Sequence, residues 1–233
     1  IGYFLSKKSV LKFRKPKIKP RVILNVFING SSQMVNELSL GLTTFVFNQF
    51  ALRFAGADGV AALSIILYSE FLLISLFLGF SNGAAPILSY NYGAKLQENI
   101  KRVIRYAFEM VSIGALLIFL IAELGAPLIC RAFEDPGTHV YALANEGMRF
   151  FSIAYLFMGF NVFISSIFTS FNNGKIAAVI SFGRSFFFVF IWLLILTHFW
   201  EMTGLWLAIP FAELTTVLIS TLFYKKYRKV YQY

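Results

Sequence analysis

Residues 176–199 read IAAVISFGRSFFFVFIWLLILTHF, an apolar run interrupted by one charged side chain, Arg184. A helix rises 1.5 Å per residue, so about 20 residues cross the ~30 Å hydrocarbon layer of a bilayer. The run is continuous rather than alternating, and a backbone in lipid must satisfy its own hydrogen bonds. The sequence therefore predicts a transmembrane helix here rather than a membrane strand.

Apolar runs of this kind recur along the whole chain. Of the 233 residues, 58% are hydrophobic and 14% are charged, whereas soluble domains are about 45–50% apolar. The mean hydropathy is +0.71. The runs are Val22 to Ala51, Val60 to Leu78, Ile104 to Ile129, Phe150 to Phe171, Ile176 to Phe199 and Leu205 to Phe223. We therefore predict an all-α, polytopic membrane protein in which residues 22–223 form a bundle of six transmembrane helices.

The positions of the charged residues along the chain, rather than the net charge of +10, indicate the membrane topology. In a soluble protein this charge would suggest nucleic acid, but here the basic residues gather in alternate loops. By the positive-inside rule these loops are cytoplasmic, and so are both ends of the segment. We expect a multi-pass protein of a plasma or inner membrane, of bacterial origin, with the lipid bilayer and no nucleic acid as partner. The basic groups are Lys7, Lys8, Lys12, Arg14, Lys15, Lys17, Lys19 and Arg21, then Lys95, Lys101, Arg102 and Arg105, then Lys175, then Lys225, Lys226, Arg228 and Lys229; the opposite loops hold Arg53, Arg131, Asp58, Glu134, Asp135 and Glu201.

The sequence lacks the usual motifs of enzymes and metal sites. Cys130 is the single cysteine, and no Cys/His cluster has the spacing of a metal site. No glycine-rich nucleotide loop, His-Glu-x-x-His or Gly-x-Ser-x-Gly motif occurs. We therefore expect a protein that is not an enzyme and that uses neither a metal nor an organic cofactor.

The first apolar run carries a polar or small face from end to end. Its members recur at spacings of three and four residues, which places them on one side of a helix, with Glu37 at the centre. A charge without a partner at that depth costs about 2.5–3.5 kcal/mol on insertion scales. We therefore expect Glu37, with Gln33 and Asn48, to line an ion or substrate pathway. The face consists of Gly30, Gln33, Glu37, Gly41, Thr44 and Asn48.

Three other runs place a polar group near their centres, namely Glu70, Asn161 and Glu213. Thr216 and Ser220 share the face of Glu213. Several such groups in one bundle suggest a common cavity, although Asn, Ser and Thr also join helices by hydrogen bonds. Arg184 lies about 12 Å from its helix end, so substrate contact, pairing with a carboxylate and snorkelling to the interface all stay open.

Two segments resemble signatures of a known family. Residues 79–95, GFSNGAAPILSYNYGAK, resemble a helix end and the following basic stretch of the multidrug and toxic compound extrusion (MATE) family. Residues 171–175, FNNGK, followed by Arg184 and by residues 204–213, GLWLAIPFAE, are similar to the family's last three helices in order and spacing. Together these segments cover nearly the whole chain.

The resemblance implies twelve helices in two lobes, of which this chain would form the carboxyl-terminal, six-helix lobe. Residues 1–21 would then hold the end of the preceding helix and a basic cytoplasmic linker, and residues 224–233 a basic cytoplasmic tail. The amino-terminal lobe would be the partner. The implied function is an antiporter that exports cationic or polyaromatic compounds in exchange for protons or sodium ions, by alternating access.

The sequence departs from the family pattern at two places. Residues 30–32, Gly-Ser-Ser, lack the proline that the family often has there. The carboxylates of the sodium-coupled branch would fall about one turn beyond Glu37 and near Asn161. The coupling ion, proton or sodium, therefore stays open.

Two other functions fit the same hydropathy. A lipid-linked oligosaccharide flippase of the same wider superfamily would share the bundle, but its cavity should hold more deep cationic groups than Arg184 to bind pyrophosphate. A non-transporting membrane scaffold or channel subunit would leave the carboxylates at mid-depth unexplained. Ionisable groups at that depth favour an ion or substrate pathway.

Overall fold

The computed structural model describes residues 19–231, without the side chains of residues 25, 28, 29, 31–33, 35, 36 and 229. This part of the chain is helical and contains no β-strand. Residues 1–18, which include most of the predicted helix end and linker, lie outside the described residues. The helices are Pro20–Gly93, Gln97–Arg131, His139–Ser152, Tyr155–Ser170, Gly174–Phe182 and Phe188–Tyr231, with a π-helical turn at Gly183–Phe187.

The longest helix, Pro20–Gly93, doubles back on itself at Gly56. The φ of 61° and ψ of −147° at this residue lie outside the helical region and suit glycine, which has no β-carbon to clash. A β-carbon on Gly59 would lie 2.6 Å from the carbonyl oxygen of Ala51, although eight residues of a straight helix span about 12 Å. The chain therefore forms a tight hairpin here.

The last helix, Phe188–Tyr231, breaks in the same way at Glu201, where φ is 43°. A β-carbon on Gly204 would meet the backbone of Leu196 and Thr197, so this chain also reverses. Residues 19–231 thus form six helical segments. These are α1 (20–55), α2 (57–93), α3 (Gln97–Arg131), α4 (139–170), α5 (174–200, including the π-turn) and α6 (202–231).

The lengths of these segments fit a membrane bundle. Glu37–Gly93, Gln97–Arg131 and Gly174–Arg228 are each long and apolar enough to cross a bilayer, and the two halves of α4, bent by 53°, make a fourth candidate. Glu37–Gly93 would measure about 86 Å if it were straight, nearly three times a ~30 Å hydrocarbon layer. Because this helix and the last one each contain a hairpin, the bundle has six crossings, which confirms the predicted architecture.

Several helices extend beyond the apolar runs, and α3, for example, begins at Gln97 rather than at Ile104. Helix α2 continues to Gly93 through Pro86 instead of ending at Leu78. Helix α4 begins at His139 rather than at Phe150, with a side-chain cap from Thr138. The residues predicted as a tail continue α6 as far as Tyr231. Polar residues at a helix end reduce hydropathy without breaking the helix, so apolar runs underestimate helix length.

The two ends of the bundle carry different loops. At one end, Asp58 in the α1–α2 hairpin pairs with His139 at the start of α4, with 2.8 Å between the carboxylate and Nδ1. At the other end, Asn173 before α5 donates to the Tyr231 hydroxyl at 2.6 Å, and the Tyr92 and Phe171 rings lie 4.7 Å apart. The structure therefore gathers the loops with the acidic residues at one end and the described basic loops at the other.

Helix α4 lies at the centre of the bundle. Tyr155, Asn161 and Phe163 on this helix are completely buried. Large apolar side chains on α3 point outward instead, as expected of a surface in lipid, with Leu124 77% and Leu128 75% exposed. The central position of α4 places the polar side chain of Asn161 where α5 and α6 can reach it.

Candidate functional site

A buried ion pair joins α5 to α6. Arg184 Nη1 donates to Glu213 Oε1 over 3.0 Å, and the two side chains are only 10% and 4% exposed. Of the alternatives that the sequence left open for Arg184, the structure shows pairing with a carboxylate. Enclosure of both groups makes the pair costly to separate, because either charge alone would lack a solvent shell.

Asn161 connects this ion pair to α4. Its Nδ2 donates to Glu213 Oε2 at 2.7 Å and to the Glu213 main-chain oxygen at 2.9 Å. Ser220 Oγ in turn donates to Asn161 Oδ1 at 3.0 Å. Both carboxylate oxygens of Glu213 therefore accept hydrogen bonds from well-placed donors. We call Asn161, Arg184, Glu213 and Ser220 the central network.

Local sequence explains how these side chains meet. Glu213, Thr216 and Ser220 are spaced three and four residues apart, so they lie on one face of α6. Arg184 belongs to the π-turn Gly183–Phe187, a wider turn of a kind often found at functional sites. The main-chain oxygen of Ser185 in this turn accepts a hydrogen bond from the Thr43 hydroxyl, which fastens α1 to the turn.

Glu70 on α2 brings a second carboxylate to the central network. It is half-buried and interacts electrostatically with both Arg184 and Glu213. When both carboxylates are ionised, the three groups together carry one negative charge. The buried Tyr155 hydroxyl, which interacts electrostatically with Glu70, has no hydrogen-bond partner among the residues that the structure describes. Sequence reasoning did not identify Tyr155, because nothing in its spacing marks it.

The remaining predicted site residues belong to α1. Glu37 lies on the exposed surface of the helix and Asn48 is half-buried. The side chain of Gln33 lies outside the described residues. Thus Asn161, Arg184 and Glu213 come together, and Glu70 interacts electrostatically with the last two. The pathway roles of all the predicted site residues, Glu37, Gln33 and Asn48 included, stay predictions. Among residues 19–231, no group of three or more His, Cys, Asp or Glu side chains could hold a metal ion.

Comparison with known proteins identifies the family. A family model described as MatE matches residues 34–194, from the middle of α1 into α5. The chain belongs to the MatE family. The resemblance to multidrug and toxic compound extrusion proteins is thereby confirmed, and the members of this family are transporters rather than enzymes.

A relative in Bacillus subtilis (strain 168), named as a probable multidrug resistance protein YoeA, is 26% identical over 156 residues. This alignment covers 66% of the chain and 31% of the relative. The alignment therefore spans about a third of the length of this relative.

Solved MATE structures share the fold. A MATE protein in complex with MaL6 matches with a TM-score of 0.91 at 16% identity, covering 99% of this chain and 52% of that one. An outward-facing MATE family transporter of the MOP superfamily gives 0.88 at 17%, covering 99% and 52%. The Vibrio cholerae MATE transporter VcmN in its bent form gives 0.84 at 20%, covering 95% and 50%. The chain thus spans about half the length of these structures, and its six helical segments have the MATE arrangement.

Proposed function

We propose that this MatE-family chain is the carboxyl-terminal half of a secondary active antiporter that exports cationic or polyaromatic compounds. The observation that supports the proposal is the enclosed Arg184–Glu213 pair, with which a second carboxylate, Glu70, interacts electrostatically. Ionisable groups inside a membrane bundle are costly, so they are kept where an ion or substrate pathway needs them. When both carboxylates are ionised, this centre carries one net negative charge and attracts a cation.

An antiporter that exchanges an ion for a substrate requires that binding of one of them change the protein's affinity for the other. Glu213 is enclosed and hydrogen-bonded on both oxygens, so it serves as a fixed charge. Glu70 is half-buried and Glu37 is exposed, so an ion can reach either of them. A proton or sodium ion on such a carboxylate removes negative charge and weakens the binding of a cationic substrate, which is the reciprocal linkage of an exchanger. We therefore propose a proton or a sodium ion as the coupling ion, with no other cofactor.

The orientation follows from the loops. We propose that the end of the bundle with Lys95, Lys101 and Lys175 faces the cytoplasm of a bacterial cell, and that both termini of the segment lie on that side. The partner in alternating access is an amino-terminal six-helix lobe, because solved MATE structures are about twice the length of this chain.

A flippase for lipid-linked oligosaccharides is less well supported. Pyrophosphate recognition needs cationic groups that are free to bind an anion. Arg184 is already paired with Glu213, and Glu70, when ionised, adds a negative charge that interacts with Arg184. The electrostatics of this centre favour a cationic cargo.

The test is dye efflux by the full-length protein in energised vesicles. Export of a lipophilic cationic dye should stop when a protonophore or a sodium ionophore removes the driving gradient, and the agent that stops it identifies the coupling ion. Vesicles without the protein provide the baseline. Export that survives the loss of both gradients, or the absence of any export above the baseline, would contradict an ion-coupled antiporter.

A further inference from the structure

A carboxyl group outside the central network joins α3 to α4. Glu123 on α3 is half-buried, and its Oε2 lies 2.7 Å from the hydroxyl oxygen of Ser152, which is completely buried on α4. Ser152 is the last residue of the helix His139–Ser152, directly before the 53° bend within α4. The contact therefore lies where the two halves of α4 meet.

The Ser152 hydroxyl oxygen lies between two other oxygen atoms. It is 2.7 Å from Glu123 Oε2 and also 2.7 Å from the main-chain oxygen of Arg149. Both separations are typical of an O–H···O hydrogen bond, which needs a proton between its two oxygens and weakens steeply below an angle of about 120°. The Ser152 hydroxyl supplies one proton, and the Arg149 carbonyl supplies none. An ionised Glu123 could only accept, so the second proton has to come from a protonated Glu123 carboxyl group.

The apolar surroundings of Glu123 make a charge there costly. Glu123 lies about 12 Å before the end of α3 at Arg131. The adjacent Leu124 is 77% exposed on the surface that we assign to lipid. An ionised carboxylate without a counter-charge is costly in such a place, whereas a protonated carboxyl group carries no charge.

Among the side chains that the structure describes, none forms an ion pair with Glu123. Helix α3 packs against α4 and against the hairpin of α1 and α2. The titratable side chains of these helices nearer the acidic loops are exposed or have other partners: Arg53, Tyr68, Arg131, Glu146 and Arg149 are exposed, Asp58 pairs with His139, Tyr141 donates to the Pro127 main-chain oxygen, and Tyr155 and Glu70 interact with each other. The contact with Ser152 is thus the one polar contact of the Glu123 carboxyl group within residues 19–231.

We propose that Glu123 is a proton-binding site whose proton secures the end of the first half of α4. The carboxyl group donates to the Ser152 hydroxyl, and this hydroxyl donates to the Arg149 main-chain oxygen, so both acceptors are satisfied. When the proton leaves to water, the single Ser152 proton turns to the carboxylate and the Arg149 oxygen loses this donor, which loosens the bend. The site goes beyond the export function proposed above, because it does not depend on which ion drives export.

Infrared difference spectroscopy of the purified full-length protein at neutral pH tests the site. The wild-type spectrum minus that of Glu123→Gln should contain the C=O stretch of one carboxylic acid, and this band should shift in D2O because its proton exchanges. The matched control is Glu109→Gln on α3, whose carboxylate pairs with Arg105 at the surface, so the same subtraction should give the bands of an ionised carboxylate. Carboxylate bands in the subtraction for Glu123→Gln would overturn the proposal.

A second variant covers the case in which Glu123→Gln does not fold. Ser152→Ala removes the acceptor of the Glu123 proton, so the carboxylic acid band should move to the higher frequency of an acid without a hydrogen bond. If Ser152→Ala leaves every carboxylic acid band in place, Glu123 holds no proton against this hydroxyl and the proposal is wrong.

Spin labels on the two sides of the bend test whether the proton secures α4. Cysteines introduced at Glu146 and Thr169, both exposed, carry the labels, while the buried Cys130 is not accessible. The distribution of distances between the labels should broaden in Ser152→Ala and match the wild type in Glu123→Gln, whose amide N–H replaces the proton. An unchanged distribution in Ser152→Ala would overturn the proposed link between this proton and the bend.

Discussion

The polar face of α1 and the central network contain similar side chains in opposite surroundings. On α1, Glu37 and Thr44 are exposed. In the central network, Arg184 and Glu213 are at most 10% exposed, and Asn161 is completely buried. Glu37 and Thr44 of the longest polar stripe in the sequence therefore lie on the surface of the bundle, while the enclosed site is built from polar residues of three helices.

This difference separates two kinds of role. An enclosed ion pair must be satisfied by its own neighbours, so each member is held in one geometry and changes there disturb the fold. A carboxylate at the surface can gain or lose a proton or an ion without rearranging a core. The central network is thus suited to set a fixed field, and Glu37 is suited to exchange an ion.

The largest effect on stability is expected from removal of one partner of the enclosed Arg184–Glu213 ion pair. Arg184→Met keeps most of the side-chain volume but leaves Glu213 without its counter-charge, which should cost about 3–5 kcal/mol of unfolding free energy. Export should be lost together with stability. Unfolding of the purified full-length protein in detergent measures the change.

The double variant Arg184→Met/Glu213→Gln provides the control. It removes both charges and keeps the side-chain amide of residue 213 within reach of Asn161, so it should recover most of the lost stability. A double variant that is as unstable as Arg184→Met would mean that lost packing, and not the uncompensated charge, causes the effect.

Glu37→Gln should abolish export and leave the fold intact. The amide imitates a permanently protonated carboxylate at nearly the same volume, so the exchange of an ion on α1 stops. Dye efflux from energised vesicles across a pH series measures the change, while expression and membrane insertion should match the wild type. The control is Glu109→Gln on α3, whose carboxylate is half-exposed and pairs with Arg105. Normal efflux with normal pH dependence in Glu37→Gln would show that the residue has no role in coupling.

Particular residues show what the sequence could predict and what it could not. Hydropathy reveals the six segments because lipid requires apolar side chains along most of each helix. Periodicity reveals that Glu213, Thr216 and Ser220 share a face, because that relation is local. It does not reveal that Asn161 meets Glu213, since 52 residues separate them and the contact depends on how α4 packs against α6. The π-turn at Arg184 and the 53° bend within α4 likewise have no clear signal in the local sequence.

A smaller effect on stability is expected where α1 contacts the π-turn that contains Arg184. Thr43→Val removes the hydroxyl that donates to the Ser185 main-chain oxygen, and it should lower the unfolding free energy by about 0.5–1.5 kcal/mol. Valine keeps the branched shape of threonine, so packing changes little. The neighbouring Thr44 is exposed, and Thr44→Val is the matched control with no expected loss. Equal stability of the two variants in detergent unfolding would show that this bond does not fasten α1 to the π-turn.

The smallest effect on stability is expected from an ion pair that is exposed at the surface instead of enclosed. Arg105 and Glu109 on α3 are 3.1 Å apart, nearly the same separation as in the enclosed pair, but their side chains are 79% and 53% exposed. Solvent screens such a pair, and holding two long side chains in place costs entropy, so Arg105→Ala should change stability by less than about 0.5 kcal/mol. A double-mutant cycle with Glu109→Gln in detergent unfolding measures the coupling between the two side chains, and added salt should reduce it further. The corresponding cycle for Arg184 and Glu213 should give a coupling several times larger. If the two cycles gave equal coupling free energies, enclosure within the bundle would not strengthen the Arg184–Glu213 pair. The proposed difference between the surface and the centre of the bundle would then be wrong.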